Sequence, residues 1–229
     1  MMCDNSMCKM AITNDPLGML TKQLDNFYGI SKAEILQMNE IYPHALKKLE
    51  LCFSFVKNKY YNNNGSITFN PLHVGQWSQF LYQMSRLSVE TELSDKIYGL
   101  SKMVSSADIF YGIEMPDIWF FDHPQGSVLG RAKYSNFFTF SQGCTVGNNK
   151  GVYPIIGEHV SMFSNSKILG NCNIEDHVIF AANTYLLDQD IPSYSIVFGM
   201  SPNIVVKSIT AEKFNELTGS MFDAEATYQ

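Results

Sequence analysis

The feature that most constrains the fold is a six-residue period in the second half of the chain. From position 156 to position 186, every sixth residue is large and apolar, and a smaller residue follows four positions later. The large residues are Ile156, Met162, Ile168, Ile174, Phe180 and Leu186, and the smaller ones are Val160, Ser166, Cys172, Val178 and Thr184. This period fits neither an α-helix nor a simple amphipathic strand. It predicts a parallel β-helix with three short strands per coil, whose neighbouring coils stabilise one another by stacking.

The same phase extends upstream and is broken once. The series of large residues continues upstream at Val128, Tyr134, Phe140 and Val146. Three hexads make a coil of eighteen residues, which predicts that positions 156, 174 and 192 stack on one another. Between Val146 and Ile156 the spacing is ten residues, four more than a hexad. A solenoid expels such an insertion as a loop, so residues 147–154 are a candidate functional loop.

The first half of the chain has a helical pattern. Ser31 and Glu34 form a capping-box signature, and apolar residues follow at helical spacing as far as Phe53. Pro43 falls inside this run and is expected to kink or split it, and further helices are predicted from about Pro71 and Ser88. The predicted fold class is therefore α+β: an α-helical domain over 1–107, a β-helix domain over 108–207 and a C-terminal tail over 208–229.

Composition excludes several functions. The net charge is −6 and the Lys and Arg residues are dispersed, which argues against a nucleic-acid or anionic-membrane partner. No apolar stretch approaches the roughly 18–20 residues of a membrane span, and no secretory signal is recognisable. The five cysteines form no CxxC pair, so we expect free thiols, no metal site and a cytoplasmic location.

Several segments carry a resemblance to a known family. Residues 121–126 contain an Asp-His pair, residues 142–147 read Gln-Gly-Cys-Thr-Val-Gly, residues 166–171 read Ser-Lys-Ile-Leu-Gly-Asn, and residues 198–202 are similar to a closing Gly-x-Pro-Ala. Over about 108–207 the chain resembles the hexapeptide-repeat acyltransferases, and most closely their serine acetyltransferase branch. The resemblance implies a left-handed β-helix and a homotrimer, with a hexamer joined through the helical domain as the alternative. It also implies acetyl-CoA bound along the prism and active sites between subunits.

The resemblance also suggests roles for individual residues. His123 matches the general base, a role that suits imidazole because it titrates near neutral pH. Asp108, fifteen residues upstream, matches the carboxylate that orients this base. Asp122 and Tyr153 are expected at the acceptor. The other histidines are not candidates: His44 and His73 fall in helical segments, and His159 and His177 are expected to face solvent.

The remaining candidate residues concern the donor. A backbone N–H at Gly147 or Asn148 is expected to stabilise the oxyanion. By resemblance, Ser164 and Ala182 present backbone groups to the pantetheine arm, and Lys207 meets a phosphate of coenzyme A. We expect no metal ligand among them.

One departure from the serine branch bears on the acceptor. That branch has an Arg-His pair before the proline that opens the next hexad, and Val152 and Tyr153 occupy those positions before Pro154. Losing the Arg removes the natural bidentate partner of an amino acid's carboxylate. The sequence therefore predicts an acetyl-CoA-dependent O-acetyltransferase that acts on a saccharide hydroxyl, in the synthesis of a surface polysaccharide or its precursor.

Three alternatives stay open. They are serine O-acetylation in cysteine biosynthesis, N-acetylation of an amino sugar, and a non-catalytic trimeric scaffold. The aromatic residues Trp119, Phe120 and Phe121 would either face a sugar ring or fill the first coils, and we expect at least two of them in the core.

Overall fold

The computed structural model describes residues 10–88, 92–223 and 225–228. Its first half is helical, with a small sheet beside the helices. The helices are α1 (Pro16–Tyr28), α2 (Lys32–Phe55), α3 (Val74–Leu87) and α4 (Glu92–Ser105), and the strands are β1 (Ala11–Ile12), β2 (Asn62–Asn63) and β3 (Ser66–Phe69). The capping box of Ser31 and Glu34 is confirmed at the start of α2. Pro43 lies inside α2 without splitting it, and the expected kink stays a prediction.

The second half is a parallel β-helix with three faces, which confirms the predicted α+β fold. Face A contains β7 (Lys133–Tyr134), β10 (Ile155–Ile156) and β13 (Asn173–Ile174). Face B contains β5 (Trp119–Phe121), β8 (Phe138–Phe140), β11 (Ser161–Met162), β14 (Val178–Phe180) and the first part of β16 (Ser195–Met200). Face C contains β4 (Asp108–Ile109), β6 (Val128–Leu129), β9 (Thr145–Gly147), β12 (Lys167–Leu169) and β15 (Tyr185–Leu187).

The hexad residues from Ile156 to Leu186 fill the interior, and each is almost completely buried. Two positions of the predicted phase were wrong. Val128 is 44% exposed and its neighbour Leu129 is buried, because Leu129 pairs with Val146 at a spacing of seventeen residues. The residue stacked on Ile174 is likewise Ile191, not the residue at 192. At each end of the β-helix, a spacing of seventeen residues instead of eighteen therefore shifts the six-residue phase by one position.

Two corners of the β-helix contain extra residues. Between faces B and C, four residues join β8 to β9 (141–144), whereas six join β5 to β6 (122–127). Between faces C and A, three residues join β12 to β13 (170–172), whereas seven join β9 to β10 (148–154). The first insertion carries the Asp-His pair, and the second is the loop predicted from the break in the period.

The C-terminal segment packs against the rest of the chain. Strand β17 (Asn203–Ser208) pairs antiparallel with β16, and α5 (Ala211–Thr218) follows it. Phe214 of α5 packs edge-on against His159 and His177. Beyond α5, Phe222 contacts both Phe120 and Phe137. Residues 211–223 and 225–228 thus lie over the A–B corner and join the helical domain to the β-helix.

His159 and His177 belong to a column at this corner, contrary to the expectation that they face solvent. His159 is buried, and its ring stacks on Phe137 at 4.3 Å and on His177 at 4.7 Å. His177 in turn stacks on Tyr194 at 4.6 Å. Helix α5 covers this column, and no pattern in the hexads indicated that cover. In the described part of the chain, no helix combines the length and apolarity needed to cross a membrane.

Candidate active site

Asp122 and His123 lie on the six-residue corner that follows β5. Their side chains are 63% and 76% exposed, and His123 Nε2 is 3.6 Å from Asp122 Oδ1. His123 adopts a left-handed backbone conformation with φ 50°, which is uncommon for a residue with a side chain. The exposed imidazole is open to whatever binds beside this corner.

A cavity of about 340 Å³ lies beside this pair, between the two domains. Its β-helix wall is formed by residues 120–125, and its helical-domain wall includes Tyr60, Tyr61, His73 and Gly75. Sequence reasoning missed this second wall. The residues that form it are separated from His123 by 48 to 63 positions, and His73 was assigned only to a helical segment.

Asp108, the predicted partner of His123, has other contacts in this chain. Its carboxylate accepts hydrogen bonds from the hydroxyl of Tyr98 and from Lys102 Nζ, the latter at 2.8 Å. Burial raises the pKa of Asp108, but these two hydrogen bonds outweigh burial and hold the pKa below its usual value. Asp108 is therefore ionised at neutral pH, and its proposed action on His123 stays a prediction.

The seven-residue loop at the C–A corner is held by the coils above it. Asn149 Nδ2 donates to Asp188 Oδ2 at 2.5 Å, and Asn149 and Val152 exchange backbone hydrogen bonds at 3.0 Å. The backbone N–H of Asn148 has no hydrogen-bond partner among the described residues. Tyr153 is partly exposed on the same loop and lies outside the cavity beside His123.

The predicted donor-binding residues line the B–C corner and the last coil. The carbonyl of Ser164 is already used, because it accepts the N–H of Asn183 at 2.9 Å. Within the described residues, the N–H of Ser164 and both backbone groups of Ala182 have no partner. Lys207 lies on β17 with its Nζ 5.6 Å from the centre of the Phe198 ring. Four strand spacings, roughly 19 Å, separate this last coil from the coil of His123.

The three aromatic residues before the Asp-His pair belong to the core. Trp119, Phe120 and Phe121 are all buried. Trp119 and Phe121 pack inside the β-helix, and Phe120 packs with the helical domain. None of the three is more than 5% exposed, although Phe120 and Phe121 line part of the cavity beside His123.

Comparisons with known proteins agree with this architecture. A serine acetyltransferase of Staphylococcus epidermidis is 33% identical over 143 residues, which is 60% of this chain and 66% of that protein. A serine acetyltransferase of Staphylococcus aureus is 30% identical over the same shares. The chain thus spans just under two thirds of the length of these relatives. No protein-family model matches the chain.

Solved structures of serine acetyltransferases have the same fold. A complex with CoA has a TM-score of 0.68 at 20% identity and covers 83% of both chains. The enzyme from Neisseria gonorrhoeae has a TM-score of 0.68 at 20% identity, over 88% of this chain and 81% of its own. The β-helix is therefore left-handed, as predicted, and the chain has the fold of the hexapeptide-repeat acyltransferase superfamily. Within that superfamily its similarity is to the serine acetyltransferase branch.

Proposed function

We propose that this chain is an acetyl-CoA-dependent O-acetyltransferase with His123 as its general base. The observation that carries this proposal is the exposed Asp122–His123 pair on an enlarged corner, beside a cavity of about 340 Å³. An alcohol must lose its proton as it attacks, and a positioned imidazole accepts that proton at neutral pH. The similarity to serine acetyltransferases supports the same chemistry.

Different residues carry out the proton transfer and the stabilisation of charge. His123 takes the proton of the acceptor hydroxyl while that oxygen bonds to the acetyl carbon, and it returns the proton to the departing sulfur. The unpaired N–H of Asn148 stabilises the negative charge that develops on the acetyl oxygen. Asp122 binds a polar group of the acceptor and holds its hydroxyl near His123.

The B–C corner and face C suit an extended donor such as acetyl-CoA, which supplies the acetyl group as a thioester. The unpaired backbone groups of Ser164 and Ala182 lie along this corner, where an amide-containing chain needs hydrogen-bond partners. Side chains of face C, including Leu169 and Leu187, are partly exposed beside them. Lys207, on β17 and five strand spacings or roughly 24 Å from the coil of His123, is positioned for a phosphate at the far end.

The placement of the two corners supports an active site between subunits. His123 lies at the B–C edge of face C, and Asn148 lies at its C–A edge. About three strand residues, roughly 10 Å, separate these edges, so one subunit does not bring the two groups onto one acetyl carbon. Subunits side by side in a trimer would combine the His123 of one with the loop of the next.

For the acceptor, we propose serine. Every relative described above is a serine acetyltransferase, and one solved relative is a complex with cysteine, an amino acid of similar size. The cavity is also of a size that suits a small acceptor, at the lower end of the usual range for ligand sites.

A saccharide is the second candidate. It is favoured by the Val152–Tyr153 pair, which stands where the serine branch has its Arg-His pair and which supplies no cation for a carboxylate. The core positions of Trp119 and Phe121 weaken this candidate, because they remove two of the aromatic surfaces that a sugar would stack on.

The test is release of free coenzyme A from acetyl-CoA with serine, with a panel of sugars and oligosaccharides, and with amino sugars. We expect acceptor-dependent release with serine. Turnover of sugars alone would overturn serine as the acceptor and would not affect the assignment of His123 as the general base. Binding of acetyl-CoA in a calorimeter without turnover of any acceptor would contradict the catalytic proposal, and absence of binding would favour a scaffold.

A further inference from the structure

The helical-domain wall of the cavity contains two polar side chains that each have a donor without a partner among the described residues. These are His73 and Tyr61, which face the corner of Asp122 and His123 across the cavity. Buried polar groups are normally paired, so an unpaired donor that lines a cavity is a candidate ligand contact.

The capping role of His73 fixes its tautomer. His73 is the N-cap of α3, and its Nδ1 accepts a hydrogen bond from the backbone N–H of Gln76 at 3.4 Å. Because Nδ1 is the acceptor, the neutral ring carries its proton on Nε2. This Nε2–H has no partner among the described residues. Burial lowers the pKa of His73, and a contact with its own backbone and the charge of Asp122 raise it by less, so the neutral donor predominates at pH 7 and above.

Tyr61 presents a second donor beside His73. Its side chain is only 2% exposed, and its ring packs edge-on against His73 at 5.3 Å. Its hydroxyl has no hydrogen-bond partner among the described residues. A Cβ at Gly75 would lie 2.5 Å from this hydroxyl and 3.3 Å from Cε1 of His73. The absence of a side chain at position 75 therefore leaves room for both groups at the cavity wall.

We propose that His73 Nε2–H and the Tyr61 hydroxyl bind the carboxylate of the acceptor, as specificity-determining residues that replace the missing cationic clamp. This inference rests on the proposed function. Two neutral donors match the two oxygens of a carboxylate, and Asp122 on the opposite wall matches the ammonium group of the same amino acid. The acceptor is thereby held with its hydroxyl toward His123.

The test uses two conservative variants of the full chain. His73→Asn keeps a strong N-cap for α3 but shortens the donor, and Tyr61→Phe keeps the ring and removes only the hydroxyl. Since a hydrogen bond to a charged group is worth a factor of about ten or more, each variant should raise the KM for serine about tenfold. The KM for acetyl-CoA and kcat should stay within about twofold of wild type. His44→Asn and Tyr28→Phe, at partly or fully exposed helical positions, are the matched controls.

Histidine NMR provides a readout that a merely structural role would not move. The His73 signal is assigned by its loss in His73→Asn, and serine should raise the pKa of His73 because a bound carboxylate favours the imidazolium. Wild-type turnover of serine with an unchanged serine KM in both variants would overturn this inference and leave the proposed function intact. If no acceptor is turned over, the proposed function fails. The NMR titration then decides alone, and an unmoved His73 signal overturns the inference.

Discussion

Two corners of the β-helix use the same backbone conformation for different purposes. At the B–C corner, successive coils place Gly126, Gly143, Asn165 and Asn183 at positive φ, and the insertion in the first coil adds His123. At the A–B corner, the corresponding residues are Phe137, His159, His177 and Tyr194. The A–B residues stack on one another under α5, whereas the register residues of the B–C corner are all Gly or Asn. Small corner residues leave backbone groups such as the N–H of Ala182 open to a ligand. One corner is thus a packing surface, and the other is a candidate binding surface.

The largest expected effect comes from the exposed histidine of the B–C corner. His123→Ala should reduce acetyl transfer by about 10²–10⁴-fold, the range typical of a lost general base. Its thermal stability should stay close to wild type, because the side chain is exposed. Coenzyme A release and a melting curve measure both quantities. His44→Ala is the control, and unchanged transfer by His123→Ala would show that another group is the base.

A mixing experiment tests whether the B–C corner of one subunit works with the loop of another. A second inactive variant replaces residues 148–154 by a three-residue corner like residues 170–172. Neither variant alone should be active, but trimers assembled from an equal mixture with His123→Ala should recover roughly a quarter of the wild-type sites. Random assembly restores one site in three quarters of such trimers. If mixing restores no activity, the base and the loop act within one subunit.

The sequence predicted the regular part of the molecule better than its irregular parts. The hexads from Ile156 to Leu186 predict the position of every inward side chain, because each coil repeats the same six-residue spacing. Val128 was misplaced, since a single missing residue in a coil shifts the phase and periodicity cannot detect it. His159 was misplaced for another reason: its cover comes from α5, which the sequence places fifty residues away and outside the repeat.

The candidate site also has a part that the sequence predicted and a part that it did not. The Asp122–His123 pair and the loop after Gly147 were predicted from a local motif and a local break in spacing. His73 and Tyr61 were not, because their position opposite His123 depends on how the helical domain docks. That docking depends on single long-range contacts, such as the hydrogen bond from Gln79 Nε2 to the carbonyl of Trp119 at 2.9 Å.

A smaller effect is expected from the glycine of the B–C corner. Gly143 has φ 66°, and a Cβ there would lie 2.1 Å from Oδ1 of Asn165 in the next coil. Gly143→Ala should therefore cost about 2–3 kcal/mol of unfolding free energy, from backbone strain and displacement of Asn165. Gly126→Ala is the matched control, because its φ is 73° but its Cβ would meet nothing within 4 Å. It should cost about 1–2 kcal/mol. Equal losses by denaturant unfolding would show that stacking of the corner residues contributes nothing.

The smallest expected effect is the pH dependence of the A–B corner. His159 Nε2 donates to the carbonyl of Ala226 at 2.8 Å. Burial lowers the pKa of His159, and the nearby His177 lowers it further, whereas this hydrogen bond and the carboxylates of Asp176 and Asp223 raise it by less in total. The unfolded chain therefore binds the proton more readily. This contribution to stability is present above the unfolded pKa of about 6.5 and is lost as the pH falls below it.

His159→Phe isolates this contribution. Phe137 occupies the equivalent position one coil earlier with φ 63°, so a phenyl ring fits this backbone and can continue the stack. At pH 8 the variant should lose about 1 kcal/mol of unfolding free energy with the hydrogen bond to Ala226. Between pH 7 and pH 5 its stability should fall less than that of wild type, while His44→Asn should follow wild type. If the stability of the variant falls as much as that of wild type between pH 7 and pH 5, the pH dependence comes from groups outside this column.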